Sequence, residues 1–256
     1  MIRQPLILVT NDDGILAPGL AALVEVVREI GEVIVVAPDS PQSGKGHAIT
    51  IDEPLRINEV EAFDEVRAYE CSGTPVDCVK LAMNVIEKDR PFDLCVSGIN
   101  HGSNASINII YSGTLSAAME ASLEGVNSIG FSLLDYSFDA DFSKCKSYIA
   151  EICRLALEHG LGETNLLNVN IPLGDIKGVR ICRQAEARWV EEFQQGKDPR
   201  GKSYYWLTGR FDNGSSPEET DLKALDEGYI SIVPSMHDLT HYKAIAGLTK
   251  FAEIKV

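Results

Sequence analysis

Two adjacent carboxylates, Asp12 and Asp13, stand directly after a short β-rich run over residues 6–10 and before Gly14. Neighbouring like charges repel, and they persist only where a cation or water compensates them. Paired oxygen ligands for a hard divalent ion are their natural use. A solvated acidic turn is the other reading of the same residues. A second loop, 37–46, contains Ser43 and Gly44 after another apolar run, 32–37. Its hydroxyl is placed to reach the ion that Asp12 and Asp13 would hold. A third, 97–104, offers Asn100 as a neutral oxygen ligand and Asn104 as a polar contact. Ser112, Gly113 and Thr114 then open an apolar segment, and a helix N-terminus with hydroxyls and free N–H groups favours phosphate. Thr114 alone reads as a plain helix cap.

An all-oxygen set of Asp12, Asp13, Ser43 and Asn100 suits Mg²⁺ or Mn²⁺ and is poor for zinc. An ion beside a phosphate cradle points to hydrolysis of a phosphoryl ester by a metal-activated water.

The elements that must position these groups alternate strand and helix. Residues 6–10 and 32–37 read as strands buried on both faces, joined by a helix over 20–30 that Gly31 ends. The βαβ unit predicts parallel strands with a right-handed crossover. Short antiparallel strands are expected at 47–51 and 54–57, and another strand at 66–71. A helix over 75–86 starts with Thr74 as cap and Pro75 at its first position. Strands follow at 92–97, 128–133 and 166–171, with helices at 114–124 and 143–158. After Pro172 the pattern turns to strands at 179–183, 187–193, 203–207 and 229–233, a polar loop at 213–219 and a terminal helix over 241–251. The fold class is α/β: a Rossmann-like, doubly wound, mainly parallel sheet with C-terminal hairpin and helix extensions.

Lys and Arg number 23 against 38 Asp and Glu, a formal charge of −15. That excess argues against long nucleic acids, which demand clustered cations, and against anionic membranes. No signal peptide or membrane-spanning run is recognisable. The six cysteines lack C-x-x-C spacing and read as reduced core residues of a cytoplasmic protein.

The motifs taken together resemble the SurE (stationary-phase survival) family of metal-dependent nucleotidases. The matching segments are residues 7–14 with 17–19, 37–38 with 42–44, 73–75 with Asp77, 97–100 with Gly102 and Asn104, and 111–114. Segments 168–172, 205–206 and 220–221 also fit, so the resemblance spans about residues 6 to 240. It departs at 231–235, Ser-Ile-Val-Pro-Ser, where the family usually reads Ser-Ile-Thr-Pro-Leu.

The resemblance implies phosphomonoesterase activity on nucleoside 5′- and 3′-monophosphates, of the 5′-nucleotidase type. It implies one divalent ion per subunit on Asp12, Asp13, Ser43 and Asn100. It also implies a homodimer or homotetramer with exchanged C-terminal elements. In this reading Asp12 or Asp13 orients the attacking water and takes its proton. Ser112, Gly113 and Thr114 hold the phosphoryl oxygens, with Asn11, Gly44 and Asn104 as further substrate contacts. His101 is a proton donor to the leaving group or a solvent-facing loop residue. Trp189, Tyr204, Tyr205 and Trp206 suit hairpin or interface packing better than base stacking.

The chain is expected to form one domain, 1–256. Residues 1–130 would form the core that holds the metal. Residues 131–256 would complete it, with a projecting hairpin near 185–212 and a C-terminal assembly segment. The rival readings are a phospho-receiver signalling module and an aspartyl-phosphate phosphotransferase. The first needs a third aspartate after a central strand, where this chain has Ser97-Gly98; the second usually has its two aspartates separated by one intervening residue, whereas Asp12 and Asp13 are adjacent.

Overall fold

The computed structural model describes residues 3–137, 139–214 and 217–254. Residues 215–216 of the expected polar loop, and residues 1–2 and 255–256, lie outside the described residues. Thirteen strands form among those described: β1 (Leu6–Thr10), β2 (Glu32–Pro38), β3 (Ile57–Val60), β4 (Arg67–Cys71), β5 (Leu94–His101), β6 (Ser128–Leu133), β7 (Leu166–Ile171), β8 (Val179–Ile181), β9 (Arg188–Val190), β10 (Phe193–Lys197), β11 (Ser203–Leu207), β12 (Arg210–Asp212) and β13 (Ile230–Ser235). The α-helices are α1 (Pro18–Val27), α2 (Pro75–Leu81), α3 (Gly113–Leu123), α4 (Lys146–His159), α5 (Asp221–Asp226) and α6 (Tyr242–Ile245).

Nine strands make one sheet in the order β3-β4-β2-β1-β5-β6-β7-β13-β8. The six from β4 to β7 run parallel, while β3 and β13 pair antiparallel with their inner neighbours. Successive residues of a strand face opposite sides. Ile7 and Val9 therefore pack with Leu20, Leu23 and Ile149, and Leu6 and Leu8 with Val79 and Ala117. Helices cover both faces, which is why the β1 run is apolar without interruption.

From β1 the chain winds outward through β2 and β4, then returns to β5 and winds the other way. The order reverses between β1 and β5, and the crevice beyond the carboxyl ends of those strands is where open α/β sheets bind ligands. Asp12 and Asp13 follow β1, and Asn100 lies near the end of β5.

Several elements differ from expectation. No strand forms over 47–51 or 54–56; β3 begins only at Ile57. Side chains hold that stretch instead. Thr50 donates its N–H and hydroxyl to Asp77, and the Ala48 carbonyl accepts from Thr74 Oγ1 at 2.7 Å. Asp77 and Thr74 also form a reciprocal cap on α2, so one short motif anchors both helix and loop. The helix expected over 75–86 is α-helical only to Leu81 and continues as a π-helical turn over Ala82–Ile86. Strand β5 does not stop at Ser97. It shifts register between Ser97 and Asn100 and runs to His101, with Gly98 at φ +130°. The expected C-terminal helix is α-helical over four residues and then 3₁₀-helical over Ala246–Glu253, with no residue buried. A short helix without a surface to pack on is not held in full α-geometry. The segment near 185–212 forms two antiparallel ribbons, β9–β12 and β10–β11. All six cysteines are buried and unpaired.

Candidate active site

The first loop is a self-closed turn. Asn11 Nδ2 donates to the Gly14 carbonyl at 3.0 Å, and Gly14 N–H donates to Asn11 Oδ1 at 3.2 Å. Asn11 is buried and its side chain is spent on this clamp, so its expected role as a substrate contact gives way to a structural one. The loop after β2 is tied to it: Ile15 N–H donates to the Pro38 carbonyl and Gln42 N–H to the Asp12 carbonyl, at 2.9 and 2.7 Å. Those bonds bring Ser43 beside Asp12.

Asp12 is buried, and α3 is built around it. Gly113 has no Cβ, and one placed there would lie 2.6 Å from Asp12 Cβ. The Thr114 hydroxyl donates to Asp12 Oδ1, and the Thr114 backbone N–H faces the same carboxylate. Thr114 thus supports Asp12 and is fully buried; the phosphate contact expected of its side chain is not available. The anion at this helix N-terminus is the carboxylate itself. Ser112 caps the helix by accepting from Leu115 N–H at 3.0 Å.

Burial pushes the Asp12 carboxyl up to about 6, against the Thr114 hydrogen bond, and the Asp13 charge adds to the rise. Asp13 is also raised by burial, against the charge of His101 and a hydrogen bond from its backbone. Its Oδ2 is buried with no partner. His101 Nδ1 lies 2.9 Å from the Ser137 carbonyl, which only accepts, so Nδ1 holds the hydrogen.

A cavity of about 460 Å³ opens over these groups. Asp12, Ser43, Gly44, Asn100, Asn104 and Ser112 all line it. Asp13 instead faces an adjoining groove that shares His101 and Tyr136 with the cavity. Asn11, Gly113 and Thr114 stand behind the wall. Asn100 Nδ2 donates to the Gly102 carbonyl at 2.9 Å, which leaves Oδ1 to face a ligand. Asn104 is fixed from beneath by a buried amide network: its N–H donates to Asn170 Oδ1 and its Nδ2 to Ser132 Oγ, both at 2.8 Å.

No Lys or Arg lines the cavity among the described residues. No cluster of three or more His, Cys, Asp or Glu gathers to hold a metal among them either. Two carboxylates, one with a partnerless buried oxygen, beside neutral Asn and Ser oxygens therefore fit a hard divalent ion and not zinc.

The far wall was not legible in the chain. Trp189, Glu192, Leu207, Thr208 and Gly209 line the same cavity from the ribbons of the C-terminal half. No spacing in the sequence relates residue 100 to residue 189. The alternation of aromatic and polar residues there signals a hairpin, and says nothing of where it folds back.

Fold and cavity together define a doubly wound α/β protein with an acidic ligand site at its topological switch point. Residues 7–191 match the family described as survival protein SurE. The chain is 58% identical over 254 residues to the 5′-nucleotidase SurE of Flavobacterium psychrophilum, covering 98% of each chain. It is 55% identical over 255 residues to that of Christiangramia forsetii, again over 98% of each. Among solved structures, the SurE protein from Aquifex aeolicus superposes with a TM-score of 0.85 at 38% identity, over 98% of this chain and 100% of that one. The chain belongs to the SurE family.

Proposed function

We propose that this protein is a metal-dependent nucleotidase that releases phosphate from nucleoside 5′- and 3′-monophosphates. The observation that supports it is the acid pair of a SurE-family chain at the sheet's switch point, Asp12 buried and Asp13 half-buried, facing adjoining cavities that no Lys or Arg lines among the described residues. Asp12, Asp13, Asn100 and Ser43 would hold one Mg²⁺ or Mn²⁺ per subunit. Such an ion, when bound, polarises a phosphoryl oxygen and lowers the pKa of coordinated water. The chain's own contribution is positional. Asp12, held by Thr114, or its neighbour Asp13 orients the attacking water and takes its proton. The Ser112 hydroxyl, in the lining of the cavity, is placed to meet the charge that develops on the phosphoryl oxygens. The receiver and aspartyl-phosphate readings have no support in the family to which the chain belongs.

The test is phosphate release from AMP, 3′-AMP and an aryl phosphate with Mg²⁺, Mn²⁺ or EDTA. Turnover with either ion and none with EDTA is expected. Undiminished turnover in EDTA overturns the reading.

The same proposal makes the protein a cytoplasmic homodimer or homotetramer. Six buried free thiols suit a reducing compartment, and among the described residues no helix is long and apolar enough to cross a membrane. Phe193, Trp206 and Leu207 on the β10–β11 ribbon, and Leu239, Phe251 and Ile254 near the C-terminus, are each more than 60% exposed. Faces so apolar are expected to be covered by a second copy. Light scattering should give a mass of two or four chains, and Trp206→Glu with Leu207→Glu should lower it; a monomeric wild type excludes the assembly.

A further inference from the structure

The catalytic wall occupies one side of the cavity only. A phosphate group would fill a small part of about 460 Å³, a size typical of sites for whole small molecules. The C-terminal ribbons add Trp189 to the lining of the cavity, and the setting of its indole is that of a fixed surface. Trp189 Nε1 donates to Asn108 Oδ1 at 2.9 Å, so its one polar atom is satisfied. Phe211 packs against it in edge geometry, with ring centroids 5.2 Å apart. Gly209, at φ +49°, lies so near that an added Cβ would stand 3.0 Å from Trp189 Cε3. Tyr111, 55% exposed, borders the cavity next to Ser112.

We propose that Trp189, locked by Asn108 and Phe211, is the platform on which the nucleobase of the substrate stacks. This rests on the nucleotidase reading and extends it. Aromatic faces bind all bases, because every base presents a π-face. Held in place before binding, the indole loses little freedom when a ligand arrives. The expected specificity is therefore for nucleoside monophosphates over sugar phosphates, with weak discrimination among bases. The packing role expected of Trp189 from sequence is real, through Phe211, but the cavity gives the residue a second use.

The experiment compares kcat/KM for AMP with that for ribose 5-phosphate. In the wild type AMP is preferred. In Trp189→Leu that preference should fall roughly tenfold, expressed in KM, and in Trp189→Phe most of it should remain. An AMP preference unmoved in Trp189→Leu overturns the platform, as does a loss in kcat alone that is equal for both esters. If the wild type hydrolyses neither ester with any ion, the nucleotidase reading fails. Calorimetric binding of adenosine then decides the platform separately. Weaker binding by Trp189→Leu than by the wild type upholds it; equal binding, or none by the wild type, refutes it.

Discussion

Asp12→Asn is expected to cut phosphate release from AMP by about a thousandfold or more, while the metal-free protein becomes more stable. The first effect follows from removing a charged oxygen ligand from an ion that supplies several kcal/mol of transition-state stabilisation, each ~1.4 kcal/mol being tenfold in rate. The second follows from burial. The carboxyl titrates near 6 in the fold against an ordinary value of 3.8, so the folded state keeps its proton over a pH range where the unfolded chain has lost it. A raised carboxyl favours the fold below about 4, and that contribution is lost as pH rises through about 6. At neutral pH the ionised group then costs roughly 3 kcal/mol when no cation is present. Asparagine keeps an oxygen for the Thr114 hydroxyl and removes the charge. In EDTA the variant should melt several degrees above the wild type at pH 7.5, and the gap should close toward pH 4. Added Mg²⁺ or Mn²⁺ should raise the wild type and leave the variant unmoved. Equal melting of the two proteins in EDTA at pH 7.5 would remove the burial argument, and near-normal turnover by the variant would remove the assignment of Asp12.

Gly113→Ala is expected to damage the same site from behind. The new methyl would meet Asp12 Cβ at 2.6 Å and Oδ2 at 2.8 Å, distances that neither group tolerates. Either α3 retreats or the carboxylate turns away. Overpacking of this kind typically costs about 1–3 kcal/mol, and a displacement near 1 Å at a reacting group costs about a hundredfold in rate. The variant should therefore lose activity out of proportion to its stability, with metal affinity weakened in titrations. The control is Gly125→Ala, where an added Cβ meets nothing within 4 Å but φ is +82°. It should cost stability through backbone strain and leave turnover intact. Equal activity losses in the two variants would show that Gly113 is only a helix-start residue.

Much of the core could be read in advance, because burial on both faces leaves an unbroken apolar run. Strands β6, β7 and β11 lie where their runs predicted, and α3 starts one residue earlier. The misreadings fall where side chains or missing contacts override the local pattern. Residues 47–51 have strand-like alternation, yet Asp77 and Thr74 hold them as a loop. Residues 241–251 have helical spacing, yet none of them is buried, and regular α-structure stops at Ile245.

The sequence by itself determined the strand-end motifs and, through the rule that parallel strands present their carboxyl ends together, that Asp12, Ser43 and Asn100 would be neighbours. That inference is local: each residue sits a fixed few positions after a strand. The assignment of roles around them was decided by tertiary structure. Asn11 closes its own turn, Thr114 serves Asp12 and not a phosphate, and Asp13 opens to an adjoining groove. A side chain's donors go to whichever acceptor the packing places within 3 Å, and that depends on how α3 approaches β1 across 100 residues of chain. Trp189 is the extreme case, since only the folding-back of the C-terminal ribbons puts it in the lining of the cavity that Asp12 also lines.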